Sequence, residues 1–393
     1  MFDLSAVQAA LRKFQFDGWL LCDFRGSNIL ARRILDLAER PLMSRRFFYY
    51  VPAQGAPRKL VHRIETGALD HLPGEKKVYL RWQELEAGLK GMLAGARRLA
   101  MEYSPRNANP YVSRVDAGLV ELVRSFGTDV ASSGDLVQLF EAAWDDEQWK
   151  MHQEAAVHTD TAYARAWRFI AERIRRRETV TERQVQEEIV RHFTEHGMFA
   201  DHAPIVGVGP HSGDPHYETG DAPLHEGDFV LVDLWAKLNR PRAVYSDLTR
   251  VGFIGADVPA RFEEIFRIVA GARDAAIARV KSGFAAGEAL QGWQVDQAAR
   301  DVITQAGYGE AFVHRTGHSI GQETHGNGAN MDNLETHEER RVLRRTCFSI
   351  EPGIYLPEFG VRSEINVFID GEGRVHVTGG ELQREVVPIL KQY

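Results

Sequence analysis

Four acidic residues interrupt apolar runs in the C-terminal part of the chain. Asp233 falls within Phe229-Val230-Leu231-Val232-Asp233-Leu234-Trp235 and Asp247 within the run from Val244 to Ile254. Glu351 stands in Phe-Ser-Ile-Glu-Pro-Gly and Glu364 in Val-Arg-Ser-Glu-Ile-Asn-Val, after a histidine-bearing stretch, Phe312 to His318. A buried carboxylate left unpaired costs several kcal/mol or takes up a proton, and any one of these acids alone is satisfied by a buried salt bridge. Four of them sharing a pocket with one imidazole require cations, and two divalent metals supply that charge. Carboxylate oxygens with a single imidazole suit Mn²⁺, Co²⁺ or Zn²⁺ and disfavour copper or iron-sulfur chemistry. Two such ions about 3.5 to 4 Å apart hold a bridging water whose pKa falls towards about 7, so that hydroxide is present at neutral pH. That is the chemistry of a hydrolase.

The elements that must position these residues follow from periodicity. Alternate residues of a strand share a face, so Asp233 projects with Leu231 and Phe229, and Asp247 with Thr249 and Val251. Pro352 holds Glu351 in extended geometry, which makes both glutamates strand-borne. Strands are also predicted at Ile205 to Val208, Phe348 to Tyr355, Val361 to Ile369 and Val375 to Val377, the last pair joined by a turn at Asp370-Gly371. A long amphipathic helix begins after Asp145-Asp146, where a boundary falls, and a second opens at Thr181 with a capping box and closes at Gly197. Two further helices lie between Ala260 and Gly307. The region from 146 to 393 therefore has two halves, each a pair of helices followed by strands. Residues 1–145 alternate strands (Trp19 to Cys22, Phe47 to Val51, Lys59 to Val61, Val78 to Leu80, Leu99 to Met101, Thr128 to Val130) with helices, which predicts an α/β domain.

Composition narrows the alternatives. The chain has 393 residues, 44% hydrophobic and 26% charged, the profile of a globular protein with room for two domains. No apolar run approaches the ~20 residues of a membrane span, and Met1-Phe2-Asp3-Leu4 lacks the layout of a secretory signal, so no membrane association and a cytoplasmic location are expected. A net charge of -7 argues against nucleic acid as a partner. The basic clusters Arg173 to Arg177 and Arg340 to Arg345 are expected on solvated helix faces. Cys22 and Cys347 are predicted to be buried free thiols.

At these motifs the chain resembles the pita-bread metallopeptidases, in particular the Xaa-Pro dipeptidases (prolidases) and Xaa-Pro aminopeptidases. Asp233 in Leu-Val-Asp-Leu, Asp247 in Ser-Asp-Leu-Thr-Arg, His318 in Gly-His-Ser-Ile-Gly, Glu351 in Glu-Pro-Gly-Ile-Tyr and Glu364 in Gly-Val-Arg-Ser-Glu match that family's metal ligands. The resemblance implies an α+β chain, a creatinase-type N-terminal domain (1–145) before a pita-bread catalytic domain (146–393). It also implies two metal ions, manganese first and zinc or cobalt as alternatives, a peptide substrate cleaved before proline, and a homodimer. Retention of all five ligand positions separates the chain from metal-free relatives such as creatinase. Glu351 is implied to shuttle the proton while remaining a ligand, His325 to contact substrate and stabilise the tetrahedral intermediate, and His216 in Pro-His-Tyr to close the pocket from the other half. His314 is expected as a pocket wall or a satisfied core histidine. Arg362, on a strand face with Glu364, is expected to orient that carboxylate or to meet substrate.

Two departures from the family pattern leave its substrate-carboxylate clamp without an obvious residue. The interval from Asp233 to Asp247 is three residues longer than usual, and that from Glu351 to Glu364 is short. Arg240 or Arg242 is the expected substitute. Three other readings compete: an aminopeptidase acting on longer peptides, a non-catalytic binding protein on the same fold, and a serine hydrolase in which Gly317-His318-Ser319-Ile320-Gly321 is a nucleophile elbow carrying Ser319.

Overall fold

The computed structural model describes residues 2–37 and 40–393, and they form two compact units, one ending at Glu141 and one spanning Ala142–Tyr393. Six strands of the first unit, Gly18–Asp23 (β1), Phe47–Pro52 (β2), Arg58–His62 (β3), Glu75–Tyr79 (β4), Arg98–Met101 (β5) and Asp129–Ser132 (β6), make one mixed sheet ordered β4-β3-β2-β1-β5-β6. The helices are Leu4–Lys13 (α1), Ile29–Ile34 (α2), Trp82–Met92 (α3), Ala117–Ser125 (α4) and Gly134–Glu141 (α5). Both faces of the sheet are covered, which explains why β1 and β2 are continuously apolar instead of alternating. Trp19, Leu21, Phe47 and Tyr49 pack with α1, α2 and α5, while Leu20, Cys22, Phe48 and Tyr50 pack with α3 and α4.

The second unit opens with Asp146–Arg175 (α6), whose N-cap is Asp145. Asp145 Oδ1 accepts from Gln148 N at 2.9 Å and Gln148 Oε1 from Asp145 N at 3.2 Å, a reciprocal box of the kind whose loss costs about 1 kcal/mol. Glu182–Glu195 (α7) has the predicted box between Thr181 and Gln184, and the chain leaves it through Gly197 at φ +64°. Met198–Phe199 (β7), Ile205–Val208 (β8), Phe229–Leu238 (β9) and Ser246–Phe253 (β10) follow, then Ala260–Ala285 (α8) and Gly292–Gln305 (α9). The second half continues with Ser319–Ile320 (β11), Cys347–Ile350 (β12), Gly353–Tyr355 (β13), Gly360–Arg362 (β14), Ile365–Ile369 (β15) and Val375–Thr378 (β16).

Strand parity decides where the acids go. Val230, Val232, Leu234 and Ala236 of β9, with Leu248 of β10, join the core under α6 and α7. Phe229, Leu231, Val251 and Phe253 point the other way and join the core of α8, α9 and the second-half strands. Asp233, Asp247 and Thr249 have that second parity, and the register sets Thr249 opposite Asp233 and Asp247 opposite Trp235.

Three expectations are corrected. The glutamates are not inside strands: Glu351 occupies the break between β12 and β13, and Glu364 the break between β14 and β15. Pro352 cannot donate to a ladder, so pairing stops there and resumes at Gly353. The Asp370 turn is longer than two residues, closing through Asp370 N to Arg374 O at 3.0 Å with Gly373 at φ +89°. Arg340 to Arg345 is not a helix face; Arg340 is buried and paired with Glu338 at 2.5 Å. Cys22 and Cys347 are free and buried, as expected. Among the described residues no helix is long and apolar enough to cross a membrane.

His152 makes this unit sensitive to acid. It is fully buried on α6, with Nδ1 2.8 Å from Tyr245 O and Nε2 2.6 Å from Thr378 Oγ1. Burial pushes its pKa down to about 4, while in the unfolded chain it titrates near 6.5. The unfolded state therefore binds the extra proton between those values. The contribution of neutral His152, on the order of 3 kcal/mol, is complete above pH ~6.5 and is lost as pH falls towards ~4. Urea unfolding from pH 7.5 to 4.5 checks this: the stability gap between the native protein and His152→Gln should narrow on the acid side, and a gap independent of pH contradicts it.

Candidate metal centre

The two halves of the unit meet at β10. Glu364 N donates to Thr249 O at 3.1 Å. Two residues on, the Asn366 amide takes both backbone groups of Asp247: Asp247 N donates to Oδ1 at 3.1 Å and Nδ2 donates to Asp247 O at 2.5 Å. These bonds bring Glu364 alongside Asp247 across more than a hundred residues of chain. His318 is placed from the other side by β12. Its backbone N donates to Ser349 Oγ at 2.9 Å, and the preceding Gly317 must lack a side chain because a Cβ there would lie 2.0 Å from Ser349 O. Ser349 Oγ in turn donates to Glu351 Oε1 at 2.9 Å.

The result is one cluster. His318 Nδ1 faces its neighbour's carbonyl, Ser319 O, at 3.2 Å, which leaves Nε2 aimed at Asp247 Oδ2 (3.3 Å) and Glu351 Oε1 (3.4 Å). Donor atoms of Asp247, His318 and Glu364 all lie within 4.8 Å of one another. Thr249 Oγ1 stands between Asp233 Oδ1 (2.9 Å) and Glu364 Oε2 (2.7 Å). Asp233, Asp247, His318 and Glu364 are each at most 8% exposed. Glu351 is the most open of the five, its side chain 13% exposed.

Arg362 is the one guanidinium inside the cluster among the described residues, and its main partner is not the expected one. Nη2 pairs with Asp233 Oδ2, Nε donates to Thr249 Oγ1 at 2.9 Å and lies 4.0 Å from Glu351 Oε2, and Nη1 donates to Tyr355 OH at 3.3 Å. It reaches Glu364 only through Thr249. Tyr355 OH passes the chain on to His314 Nε2 at 2.7 Å, and His314 Nδ1 donates to Arg315 O at 2.6 Å. His314 is thus the outer end of a network running to Asp233. His325 packs edge to face on His318, ring centroids 4.3 Å apart.

Electrostatics in the cluster are those of too many anions. Burial raises Asp247 and Glu364 well above the carboxylate range, with Glu351 and Asp247 respectively adding to the rise, and takes Asp233 to about 7 against the opposing pull of Arg362. Burial also acts to raise Glu351, but His318, Arg362 and His314 outweigh it and hold that carboxyl low. Burial, with Arg315 adding to it, lowers His318, and His318, burial and Arg315 lower His325 to about 3.

Divalent ions fit these residues. Glu364 Oε1 is buried and has no hydrogen-bond partner, an orphan that a cation would satisfy. Four carboxylates against one guanidinium leave three uncompensated charges; one dication leaves one, and two bring the sum to plus one, which suits an anionic nucleophile. All-oxygen donors with one imidazole are the hard-to-borderline set that Mn²⁺, Co²⁺ and Zn²⁺ accept.

The residues from 150 to 371 match the model of metallopeptidase family M24. The chain belongs to this family. Among M24 relatives, "Probable dipeptidase PepE" of Mycobacterium tuberculosis is 29% identical over 86% of this chain and 85% of its own. The Xaa-Pro dipeptidase of Lactobacillus helveticus is 31% identical over 67% of each chain. Among solved structures, dipeptidase PepE from Mycobacterium ulcerans superposes with a TM-score of 0.68 at 26% identity, covering 98% of this chain and 96% of the other. The fold is that of the pita-bread peptidases, and the protein is a metallopeptidase.

Against the M24 pattern the remaining expectations sort as follows. His216 is exposed after the turn Gly209–Gly213, with its backbone N on Asp214 Oδ1 at 3.0 Å; among the described residues no hydrogen bond, ion pair or ring contact joins its side chain to the cluster. Arg240 and Arg242 are exposed and form ion pairs with Glu154 and Asp145 around the N-terminal turns of α6. The nucleophile elbow is absent. Ser319 is 2% exposed in a two-residue strand, its Oγ accepts from Gly328 N at 2.9 Å, and no helix follows before β12 among the described residues. The sequence pattern does not mark Ser349, Tyr355 or Asn366 for the centre, and marks Thr249 only by its shared face with Asp247.

Proposed function

We propose that this metallopeptidase is a dipeptidase that cleaves the bond before proline at a dinuclear centre held by Asp233, Asp247, His318, Glu351 and Glu364. The observation that supports this reading is the buried group of Asp247, His318 and Glu364, with Glu351 beside His318 and Asp233 joined through Thr249, in which Glu364 Oε1 has no hydrogen-bond partner. Preference for proline is supported by the relatives whose names specify it. Divalent ions at this point would supply Lewis acidity to the scissile carbonyl and activate water near neutral pH.

The chain's own residues do the rest. Arg362 fixes Asp233, and Thr249 spans Asp233 and Glu364, so two carboxylates keep their orientation before substrate arrives. Glu351, the most open acid and anchored through Oε1 by Ser349, takes the proton from the attacking water and returns it to the leaving nitrogen. His325 donates to the oxygen that gains charge on the substrate carbonyl. His314, held by Tyr355, forms a wall of the pocket. For His216 the support is the family resemblance alone. Proline offers no amide N–H, so a strand-like grip on substrate backbone loses a bond there and a fitted pocket takes its place.

The test is hydrolysis of a Xaa-Pro dipeptide, a Xaa-Pro-Xaa tripeptide and a Xaa-Ala dipeptide by protein stripped with a chelator and reloaded with Mn²⁺, Co²⁺ or Zn²⁺. The expected result is no turnover when stripped, recovery with metal, and highest kcat/KM on Xaa-Pro. Faster cleavage of the tripeptide selects the aminopeptidase alternative, and equal rates on Xaa-Ala remove the proline preference.

A further inference from the structure

A second group of ligands lies away from this centre, on the helices covering the opposite face of β9 and β10. His192 and His196 are one turn apart on α7, at its C-terminal end, and His158 faces them from α6. Ring centroids are 4.2 Å apart for His192 and His196, 4.7 Å for His158 and His196, and 6.1 Å for His158 and His192. One nitrogen from each lies within 4.8 Å of the other two. Spacing of four residues puts the α7 pair on one helix face, the arrangement that lets two imidazoles share an ion.

The hydrogen bonds prepare them for ligation. His192 Nε2 lies 3.1 Å from His158 O and His196 Nδ1 lies 2.7 Å from His192 O. A carbonyl only accepts, so each of these nitrogens carries the proton and the other ring nitrogen presents a lone pair. Holding a ligand histidine by its second nitrogen on a backbone carbonyl is how metal sites fix tautomer and orientation.

We propose that His158, His192 and His196 form a further site for an imidazole-preferring divalent ion of the zinc or nickel class, tying α6 to the end of α7. Zinc–nitrogen bonds of about 2.0–2.1 Å place tetrahedral donors about 3.3 Å apart, so the rings must draw in on binding. His196 is exposed and His158 half-buried, so the group is open to ions from solvent. Manganese, which favours oxygen, is a poor occupant, which distinguishes this site from the carboxylate centre. Burial and the neighbouring His196 lower His158 and His192, which favours the neutral rings that ligation needs. The charged groups around them are Glu154 and Arg165 on α6, the latter paired with Glu188 and Glu195 of α7.

The test uses the full chain with Mn²⁺ at the catalytic centre. Zinc bound at equilibrium is measured by dialysis and elemental analysis for the native protein, His196→Ala and His158→Ala/His196→Ala, together with Tm with and without zinc. The native protein should hold one zinc more per chain than the double variant and gain Tm that the double variant does not. His196→Ala, at an exposed position, should weaken that zinc by more than the ~10–100-fold that loss of an outer-shell partner costs. Activity with Mn²⁺ should be unchanged in all three. Equal zinc content and equal Tm gain in native protein and double variant overturn the proposal; they leave a hydrogen-bonded end to α7.

Discussion

Glu351→Gln should reduce kcat for a Xaa-Pro dipeptide by about 10²–10⁴-fold, the range assigned to a positioned proton-transfer group. Glutamine keeps the shape and can still meet Ser349, but it carries no charge and cannot take a proton. Because Glu351 is also proposed to hold metal, two losses are combined, and they can be separated. Raising the Mn²⁺ concentration restores the part due to weakened binding and leaves the part due to proton transfer. Metal content measured on the same samples assigns each share. A variant with full metal and native kcat would remove Glu351 from the chemistry.

Arg362→Met should have the largest effect on stability, and the effect should depend on metal. The Arg362 and Asp233 side chains are 5% and 11% exposed, and removing one partner of such a buried pair costs about 3–5 kcal/mol because the other charge is left without compensation. In stripped protein Arg362 is the only cation inside the cluster among the described residues, so the full cost should appear in the free energy of unfolding. In Mn²⁺-loaded protein the ions share the compensation and the difference should shrink. Urea unfolding of both proteins with and without Mn²⁺ measures this. The same cost in both states would mean that the arginine acts through packing and its bond to Tyr355.

The centre was legible because strand parity and charge are local properties. Asp233 and Asp247 break apolar runs at positions whose face is set by counting in twos, and the structure keeps that face. The glutamates were legible as members of the buried acidic group but not as strand breaks, since a single proline in an extended run does not say whether the ladder passes it or stops. Arg362 shows the limit of face counting. It shares parity with Glu364, yet its guanidinium goes to Asp233, because the break at Ser363-Glu364 releases the glutamate from the plane of β14 and β9 supplies a carboxylate within reach. The ion pairs of Arg240 and Arg242 show the same limit: their partners Glu154 and Asp145 lie at the start of α6, and nothing in the turn's own residues records that neighbour.

By itself the sequence determined the residue types, the two-fold repeat of helix pairs and strands, the cap at Thr181, and the faces on which Asp233 and Asp247 lie, since all of these depend on interactions within a few residues. Only the tertiary structure decided that Asn366 grips the backbone of Asp247, that Thr249 bridges two acids, and that three histidines of α6 and α7 meet. Those outcomes depend on pairings between segments up to 119 residues apart, and a local pattern carries no information on which distant strand or helix will be its partner.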